Sequence, residues 1–411
     1  MSDWKIATID ESCEILDSQR IPINDEQRSL IPGTIPYYGA NGIQGYIGKF
    51  IFDEPLILLA EDGGNFDDYQ NRPIAYRVKG KSWVNNHAHI LRSKTCFSQD
   101  FVFYSLVHKN ITSCIKGGTR SKLNQADLKE ITFIHPTSLP EQRKIARILS
   151  AVDAVIEKTE AAIAKYKAIK SGMMRDLFTR GIDLKTGKLR PRYEDAPEFY
   201  KQSELGWVPK EWEVVRLGEC SDTGFKYGIN AAATEFTPLL PVYLRITDID
   251  DDGHFIAKNK TSVNSEESKY YVLVDGDIVF ARTGATVGKT YLYDKNDGEL
   301  VFAGFLIKFN PNSNKLHPYY LKTYTETGFY KNWVIVYSSR SGQPGINGKE
   351  YAELLISLPK IEEQKQIVKS FISANKIILD EQTALLKYQQ LKTALMSDLL
   401  TGKVRVKVSE P

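Results

Sequence analysis

"EQRKIARILSAVDAVIEKTEAAIAKYKAIKSGMMRDLFT", residues 141–179, aligns without a gap onto "EQKQIVKSFISANKIILDEQTALLKYQQLKTALMSDLLT", residues 363–401, at a constant offset of 222 positions. Both segments start with Glu-Gln, carry Lys-Tyr at equivalent places and share Asp-Leu near their ends. Agreement of this kind at one fixed offset indicates an internal duplication. The duplicated segment decides the fold, because everything else in the chain is organised around it.

Apolar residues recur three and four positions apart through both copies, which predicts two long helices with one apolar stripe each. At 1.5 Å per residue each helix is roughly 58 Å long, too long to bury its stripe against a small domain. We therefore predict that the two helices pack along each other as a coiled coil. The predicted seam is Ile145, Leu149, Val152, Ile156, Ile163, Tyr166, Ile169, Met173 and Leu177 on the first helix, and Ile367, Phe371, Ala374, Ile378, Leu385, Tyr388, Leu391, Leu395 and Leu399 on the second.

The duplication extends upstream of each helix. Residues 117–142 and 340–364 share a Gly-rich basic loop, a Leu-Asn or Ile-Asn step, a short amphipathic segment and a Pro-containing strand. Before them, "QDFVFYSLVHKN" and "HPYYLKTYTETG" are predicted to be helical. The sequence thus predicts an α+β protein in which two α/β domains alternate with two long helices. The predicted boundaries are 1–137 for the first domain, 138–180 for the central helix, 181–204 for an extended linker, 205–357 for the second domain, 358–401 for the C-terminal helix and 402–411 for a tail.

Composition bounds the class of protein. A chain of 411 residues with 42% hydrophobic and 26% charged residues is typical of a soluble protein with two or three domains. No apolar run approaches the roughly 18 residues that span a bilayer, so we expect a cytoplasmic protein without a membrane partner. The four cysteines lie far apart with no Cys-x-x-Cys pair, which argues against a disulfide framework and a zinc site.

Charge is unevenly distributed along the chain. Residues 69–123 hold ten Lys/Arg against the single acid Asp100, and residues 301–349 hold six against the single acid Glu326. Two basic, aromatic-rich windows in a chain of net charge +3 indicate two surfaces for a polyanion. A solvated basic face on each domain is the alternative.

"RTGATVGKT", residues 282–290, superficially resembles a phosphate-binding loop. Such a loop needs four residues between its first glycine and the Gly-Lys pair, and it must open a helix. Here only three residues separate Gly284 from Gly288, and the β-prone "TYLYD" follows. We predict a turn between two strands and no nucleotide binding.

Motifs for catalysis and metal binding are weak or absent. His87 and His89 have a spacing that suits a metal, but the sequence offers no evident third ligand, so a core or DNA-facing pair is preferred. The runs "EDGGNFDD" and "DIDDDGH" lack the pattern of an EF-hand and are interpreted as acidic turns. No adenine-methyltransferase tetrapeptide, glycine-rich cofactor loop or Gly-x-Ser-x-Gly is present. We expect a binding protein without cofactor or metal.

Over essentially its whole length, the chain resembles the specificity (S) subunit of type I restriction-modification systems. The matching stretches of the first half are "IPYYGANGIQGYI", "FDEPLILLAEDGGNF" and "WVNNHAHIL". Those of the second half are "GWVPKEWEVVRLGE", "YLRITDID" and "GDIVFARTGATVGKTYLY". The two Glu-Gln helix starts complete the pattern.

The resemblance implies two target recognition domains, each reading one half of a bipartite, asymmetric site in double-stranded DNA. It also implies that the long helices act as a ruler and dock two methyltransferase (M) subunits, with restriction/translocase (R) subunits joining through the complex. The S subunit itself would perform no catalysis. Because the two reading domains must meet separate half-sites, we expect them at opposite ends of an antiparallel helix pair.

Arg, Lys, Asn and Gln on glycine-rich loops suit base edges, whereas Ser, Thr and backbone N–H groups suit phosphates. For each candidate a solvated turn residue remains the alternative. The DNA-binding candidates are Tyr37, Tyr38, Asn41, Lys116, Thr119, Arg120 and Lys122 in the first domain, and Arg245, Arg282, Thr283, Lys289, Ser339, Arg340 and Gln343 in the second.

Two other classes of function stay open at this stage. A nuclease would need clustered carboxylates near a lysine, and Asp275, Asp277 and Lys289 are the nearest approach. A coiled-coil scaffold without DNA affinity is the other class. Salt-dependent DNA binding separates that scaffold from the S-subunit interpretation. The target bases, the spacer length and the identity of the partner subunits are not encoded in any motif of this chain.

Overall fold

The computed structural model describes residues 3–116, 121–339 and 343–408. The chain divides into two compact units, the first formed by Met1–Ala162 with Glu381–Pro411 and the second by Ile163–Asp380. Among the described residues, none of the helices is both long and apolar enough to cross a membrane. The α-helices are α1 (Ile9–Ser12), α2 (Asp25–Ser29), α3 (Gln99–Leu106), α4 (Gln125–Lys129), α5 (Leu139–Thr179), α6 (Pro318–Tyr324), α7 (Gly328–Ser338), α8 (Gly348–Ala352) and α9 (Ile361–Leu399).

Short strands fill both units. Those of the first unit are β1 (Trp4–Thr8), β2 (Cys13–Ile15), β3 (Ile35–Gly39), β4 (Gly42–Ile47), β5 (Phe52–Asp53), β6 (Leu56–Ala60), β7 (Ala75–Val78), β8 (Lys81–Val84), β9 (Ala88–Ser93) and β10 (Thr132–Pro136). Those of the second are β11 (Ile182–Asp183), β12 (Lys188–Leu189), β13 (Tyr200–Ser203), β14 (Gly206–Pro209), β15 (Glu213–Arg216), β16 (Phe225–Tyr227), β17 (Ala233–Glu235), β18 (Val242–Leu244), β19 (Thr261–Val263), β20 (Ile278–Ala281), β21 (Thr290–Leu292), β22 (Leu300–Phe302), β23 (Leu306–Phe309) and β24 (Leu355–Leu358).

The sheets repeat from one unit to the other. The first unit has a four-stranded sheet in the order β2-β9-β6-β7, and the second has β16-β23-β20-β21. In each unit the domain's opening strand pairs with the strand that leads into a long helix, β1 with β10 and β15 with β24. The duplication seen in the helices therefore includes the α/β domains, and the predicted α+β class with internal duplication is confirmed.

Both units bury part of each long helix, and in both the helices run antiparallel. In the first unit, Leu149 of α5 shares a core with Leu399 of α9. One turn further along α5, Asp153 pairs with Lys392, which lies earlier on α9, at 2.7 Å. In the second unit, Phe178 near the end of α5 stacks on Phe371 near the start of α9. Residue numbers rise along one helix as they fall along the other, so the antiparallel prediction is confirmed.

The predicted seam is mostly buried but is wrong at one duplicated position. Ile169 and Leu391 are 51% and 47% exposed, so these equivalent side chains face away from the helix pair. One turn after Ile169, Met173 and Met174 pack against the core of the second unit. The remaining seam residues are buried (Ile145, Leu149, Ile163, Leu177, Ile367, Phe371, Ile378, Leu399) or partly buried (Val152, Ile156, Tyr166, Met173, Ala374, Leu385, Tyr388, Leu395).

The Glu-Gln pair that starts each helix has a structural role. The Gln142 side chain accepts from the Ser98 amide before α3 at 2.8 Å and donates to the Pro136 carbonyl at the end of β10. Gln364 likewise accepts from the His317 amide before α6 at 2.8 Å and donates to the Pro359 carbonyl after β24. Each glutamine is fully buried and joins a long helix to its own domain.

The two glutamates form what we call the helix-start ion pairs. Arg405, after the end of α9, donates two hydrogen bonds to Glu141, at 2.7 and 2.9 Å. Arg190, after the end of α5, donates two to Glu363, at 2.6 and 3.0 Å. Both arginines end a Thr-Gly-Lys-x-Arg motif, at residues 186–190 and 401–405, whose glycines adopt positive φ angles of 67° and 72°. The start of each helix is thus fixed by the segment that follows the other helix.

Residues 181–204, predicted as an extended linker, contain the hairpin of β11 with β12 and the strand β13, which pairs with β14 just beyond them. Gly181 and Gly187 form tight turns at positive φ, so these glycines belong to turns and not to an open chain. Arg190, which this segment carries, is buried against Glu363. A Cβ at Gly181 would lie 2.1 Å from Glu363 Oε1, so only glycine fits beside the ion pair.

We predict that Glu363→Ala destabilises the second unit by about 3–5 kcal/mol, because the buried Arg190 guanidinium loses its buried carboxylate and keeps only the exposed Glu211, at 3.0 Å. Urea unfolding measures the loss of stability, and hydrogen exchange at the Ile182 amide, which donates to Glu363 Oε1 at 2.8 Å, localises it. Glu362→Ala, at an exposed neighbour on α9, is the control and should change little. Equal effects of the two variants would contradict the role of the ion pair.

Candidate nucleic-acid interface

A contact between a turn and a loop recurs in both units. In the second unit, the central turn (residues 282–285, after β20) meets the paired loop (Ser339 and Gln343–Ile346 in its described part). Thr283 and Gly345 form an antiparallel bridge, and the Ile346 amide donates to the Arg282 carbonyl at 2.9 Å. The Gly284 amide donates to the Pro344 carbonyl at 3.0 Å. Two segments about 60 residues apart are therefore held as one surface.

The predicted strand-turn-strand structure of "RTGATVGKT" is confirmed. β20 and β21 pair antiparallel around it, and no helix follows. Gly284 and Gly288 have positive φ angles of 73° and 85°, a conformation that favours glycine. A Cβ at Gly288 would also lie 2.6 Å from Val334 Cγ1 on α7. The glycines thus serve a tight turn packed under a helix, with no phosphate-binding geometry.

The first unit has the same arrangement at equivalent residues. Its central turn is residues 61–64, after β6, and its paired loop comprises Lys116 and Ser121–Leu123 in the described part. Asp62 bridges Lys122, and the Leu123 amide donates to the Glu61 carbonyl at 2.7 Å. Glu61 and Asp62 therefore take the places of Arg282 and Thr283. Sequence reasoning missed this equivalence, although "AEDGG" and "ARTGA" after apolar strands carried the signal.

Three candidates of the second unit come together at this surface. The Arg282 guanidinium lies 5.1 Å above the ring of Tyr227, and its buried Nε has no hydrogen-bond partner among the described residues. Thr283 is next to it, and exposed Gln343 has its Nε2 only 3.3 Å from where a Cβ of Gly284 would be. Ser339 lies exposed at the end of α7. An oriented guanidinium with spare donors suits a base edge or a phosphate.

Two other candidates of the second unit are engaged by acids. Arg245 makes hydrogen bonds of 2.9 and 2.8 Å with the Asp248 carboxylate, and Lys289 Nζ lies 2.6 Å from Asp251. The hydrogen bonds of Asp248 raise the pKa of Arg245 above its ordinary value. Neither side chain is presented as a free cation, so both are weaker candidates than Arg282.

In the first unit, the central turn gathers the exposed polar candidates. Asn41 Nδ2 donates to the Gly63 carbonyl at 2.8 Å, and Lys122 Nζ lies 3.2 Å from Glu61. Lys116 Nζ is 2.6 Å from Asp127, and its side chain is largely exposed. Both lysines are thus paired with acids, as Arg245 and Lys289 are, and they remain candidates together with Asn41.

Tyr37 is a correction to the predicted interface. Its side chain is buried with Ile47 and Trp83, and its hydroxyl donates to the Ile23 carbonyl at 3.1 Å. Burial raises its pKa. Tyr38, half-buried, packs against the neighbouring core. The equivalent of Tyr37 in the second unit, Tyr243, is buried in the same way, so the position serves the core.

Three further candidates, Thr119, Arg120 and Arg340, lie outside the described residues. They stay sequence predictions. Lys116 and Ser121 flank the first two, and Ser339 precedes the third.

The histidine pair has partners that the sequence did not reveal. His87 lies just before β9, and its Nδ1 is 2.8 Å from Asp62. His89 is buried on β9 beside Asp17 and Glu61, a grouping whose donor atoms would suit a metal. Arg20 already lies 2.5 Å from Glu61, however, and His89 Nδ1 lies 2.6 Å from Asp17. These contacts make the grouping a network of hydrogen bonds and ion pairs, and the expected absence of a metal stays a prediction.

The carboxylates considered for a nuclease are not assembled. Asp277 is buried, where it accepts from Lys308 Nζ at 3.0 Å and Asn310 Nδ2 at 2.8 Å. Lys289 pairs with Asp251 instead of Asp277. The acidic run that follows β18 is a turn, in which Asp250 accepts the His254 amide at 2.8 Å. These acids stabilise loops and strands.

Comparison with known proteins identifies the family. A family model described as the type I restriction modification DNA specificity domain matches residues 1–166 and 209–387. The MjaVIII type I restriction enzyme specificity subunit of Methanocaldococcus jannaschii is 26% identical over 425 residues, covering 98% of this chain and 94% of that protein. The EcoDI specificity subunit of Escherichia coli is 21% identical over 435 residues, covering 98% and 89%.

The fold of the chain is also similar to that of a solved S subunit. The crystal structure of a type I restriction-modification S subunit from M. genitalium superposes with a TM-score of 0.63 at 15% identity, covering 99% of this chain and 97% of that one. The matched model covers both duplicated halves, each with its own turn-and-loop surface. The chain therefore belongs to the family of type I restriction-modification DNA specificity subunits.

Proposed function

We propose that this chain recognises a bipartite, asymmetric site in double-stranded DNA through its two turn-and-loop surfaces. The observation that carries the proposal is the recurrence of one backbone contact with different side chains. Arg282, Thr283 and Gln343 line it in the second unit, where the first has Asp62 and Lys122. Two surfaces that share one backbone contact but carry different side chains suit two different half-sites.

We further propose that α5 and α9 act as a ruler and as the dock for two M subunits. Four exposed apolar side chains support this: Val155 (39%), Ile169 (51%), Ile377 (45%) and Leu391 (47%). Val155 is equivalent to Ile377 by the duplication, and Ile169 to Leu391. The members of each helix lie 14 positions apart, about four turns, and so share one face. Equivalent apolar positions on two helices fit two copies of one partner.

The chemistry is then left to the partners. The S subunit would select the site in the cytoplasm, the M subunits would methylate it, and R subunits would join through the complex. No catalysis is assigned to this chain: Asp277 and Lys289, the residues considered for a nuclease, and the pair His87 and His89 are engaged in local hydrogen bonds and ion pairs. A scaffold without DNA affinity is the competing function, and binding to duplex DNA with a steep salt dependence separates the two.

Arg282→Ala should weaken binding of the complete complex to its target by about 1–3 kcal/mol, the range for one guanidinium on a guanine. The same loss is expected for Arg120→Ala and Arg340→Ala. Titration of labelled target duplex measures it. Arg216→Ala, an exposed arginine of the same unit paired with Glu353, is the matched control. Parent-like binding by Arg282→Ala would remove the central turn from the interface.

Ile377→Glu should weaken assembly with M subunits, because it places a charge on the proposed apolar dock. Co-purification and analytical ultracentrifugation with the M subunit measure the loss. Ile372→Glu is the control, since Ile372 is 51% exposed on another face of α9. Normal assembly of Ile377→Glu, or equal loss in both variants, would contradict docking at this face.

A fragment of residues 205–411 should form a homodimer, because it exposes the apolar stripe of α9 without α5. The fragment lacks Arg190 but keeps Arg405, so Arg405 of one copy is expected to bind Glu363 of the other. With M subunit, the dimer should modify an inverted repeat of one half-site. Sedimentation tests the dimer, and Arg405→Ala should weaken it relative to Lys403→Ala. A stable monomer at micromolar concentration would refute the premise.

A further inference from the structure

His89 of the first unit is a buried side chain placed between two hydrogen-bond acceptors. Its Nδ1 lies 2.6 Å from Asp17 Oδ2, and its Nε2 lies 2.9 Å from the Leu123 carbonyl. A neutral imidazole carries one N–H, whereas the imidazolium carries two. Because a carboxylate and a carbonyl both accept, the geometry is complete only when the ring is protonated on both nitrogens.

The surroundings of Asp17 favour its ionised form, which can pair with a cation. Burial by itself raises the pKa of this carboxyl, but the hydrogen bond and charge of His89, the Ile90 amide and the charge of Arg20 together lower it below its ordinary value. The Ile90 amide donates to Asp17 Oδ1 at 2.9 Å. An ionised Asp17 therefore stabilises the imidazolium that the geometry requires.

Charged groups from several elements surround the ring. Glu61, in the central turn, lies 3.9 Å from His89 Nδ1. Arg20 contacts both Asp17 and Glu61, and Lys122 contacts Glu61 at 3.2 Å. Gln125 of α4, a neutral donor, lies 3.3 Å from Asp17. With His89 protonated the group carries three positive and two negative charges, so loss of the proton also removes the excess positive charge.

The second unit shows that the fold does not need a histidine here. His89 pairs with Leu59 on β6, and the equivalent pair on β20 is Ile307 with Phe280. Ile307 is fully buried, and the equivalent bridge between central turn and paired loop forms above it. An apolar side chain thus supports the same backbone in the second unit, so the strand pairing by itself does not require a histidine at this position.

The Leu123 carbonyl connects His89 to the interface. Leu123 is fully buried, and its amide donates to the Glu61 carbonyl, so its backbone is held from both sides. Lys122 precedes it, bonded to Lys116 through both backbone groups at 2.9 Å, with its side chain about half exposed. A contact that restrains the Leu123 backbone therefore also restrains the direction in which the Lys122 side chain projects from the surface.

We propose that His89 is a positioning residue which, as an imidazolium, holds Leu123 and thereby presents Lys122 to a DNA phosphate, so that DNA binding through the first unit weakens as pH rises. The inference rests on the proposed function, since it assigns a pH dependence to one of the two DNA surfaces. Its sign follows from the hydrogen bonds. Deprotonation removes one of the two donors and one positive charge, and both losses weaken attraction for a polyanion.

Hydrogen exchange on the intact chain tests the positioning step without DNA. Protection at the Lys122 and Leu123 amides, corrected for intrinsic exchange, should fall as pH rises and the imidazolium is lost. In His89→Gln, which can donate only one of the two bonds, protection should be lower and independent of pH. Exposed His254→Gln is the matched control and should retain the parent's profile. Unchanged protection in His89→Gln overturns the proposal.

The salt dependence of binding to a non-specific duplex tests the functional step. For the parent, the slope of log K against log salt should become shallower by about one unit as pH rises, equivalent to one lost phosphate contact. His89→Gln should show the shallow slope throughout. If that variant fails to fold, Asp17→Asn serves in its place, and it should move the transition to lower pH. DNA binding with a pH-independent slope in the parent refutes this inference alone, whereas no DNA binding at any pH refutes the proposed function.

Discussion

The ion pair between a helix-start glutamate and an arginine from beyond the other helix is the contact on which the architecture depends. Both carboxylates, Glu141 and Glu363, are nearly fully buried and accept two hydrogen bonds, although Arg405 is about half exposed where Arg190 is buried. A buried carboxylate is costly without its partner, so each helix is stable only in the register that brings the opposite segment to its start. The neighbouring glutamines, Gln142 and Gln364, then attach each domain to the helix that it precedes.

This arrangement separates what must stay constant from what can change. The backbone bridge between central turn and paired loop is the same in both units, yet Arg282 occupies the position of Glu61. Such a difference is tolerated because the bridge uses backbone N–H and C=O groups, which every residue supplies. The side chains are then free to differ between the two surfaces, as the proposed recognition of two different DNA half-sites requires.

The sequence was sufficient for the helices because their pattern is local. A stripe with a period near 3.6 can be recognised from neighbouring residues alone, and the predicted seam was wrong only at Ile169 and Leu391, whose side chains are exposed. The burial of Tyr37 was missed because aromatic residues near glycines suit a core strand and a binding loop equally well. The partners of His89 were beyond reach, since Asp17 lies 72 positions away and no periodicity links them. Arg190 was missed because the Thr-Gly-Lys-x-Arg repeat is only five residues long.

The discontinuity of the first unit has a consequence for synthesis on the ribosome. The second unit is a single stretch, Ile163–Asp380, so all of its residues are translated before Glu381. The first unit needs Leu399 for its core and Arg405 for its helix-start ion pair, and both are translated after the whole of the second unit. Its N-terminal residues must therefore wait, with an incomplete core, until the second unit has been made. The unit that is begun first is completed second, so a chain that stops shortly after residue 380 has every residue of the second unit and lacks part of the first.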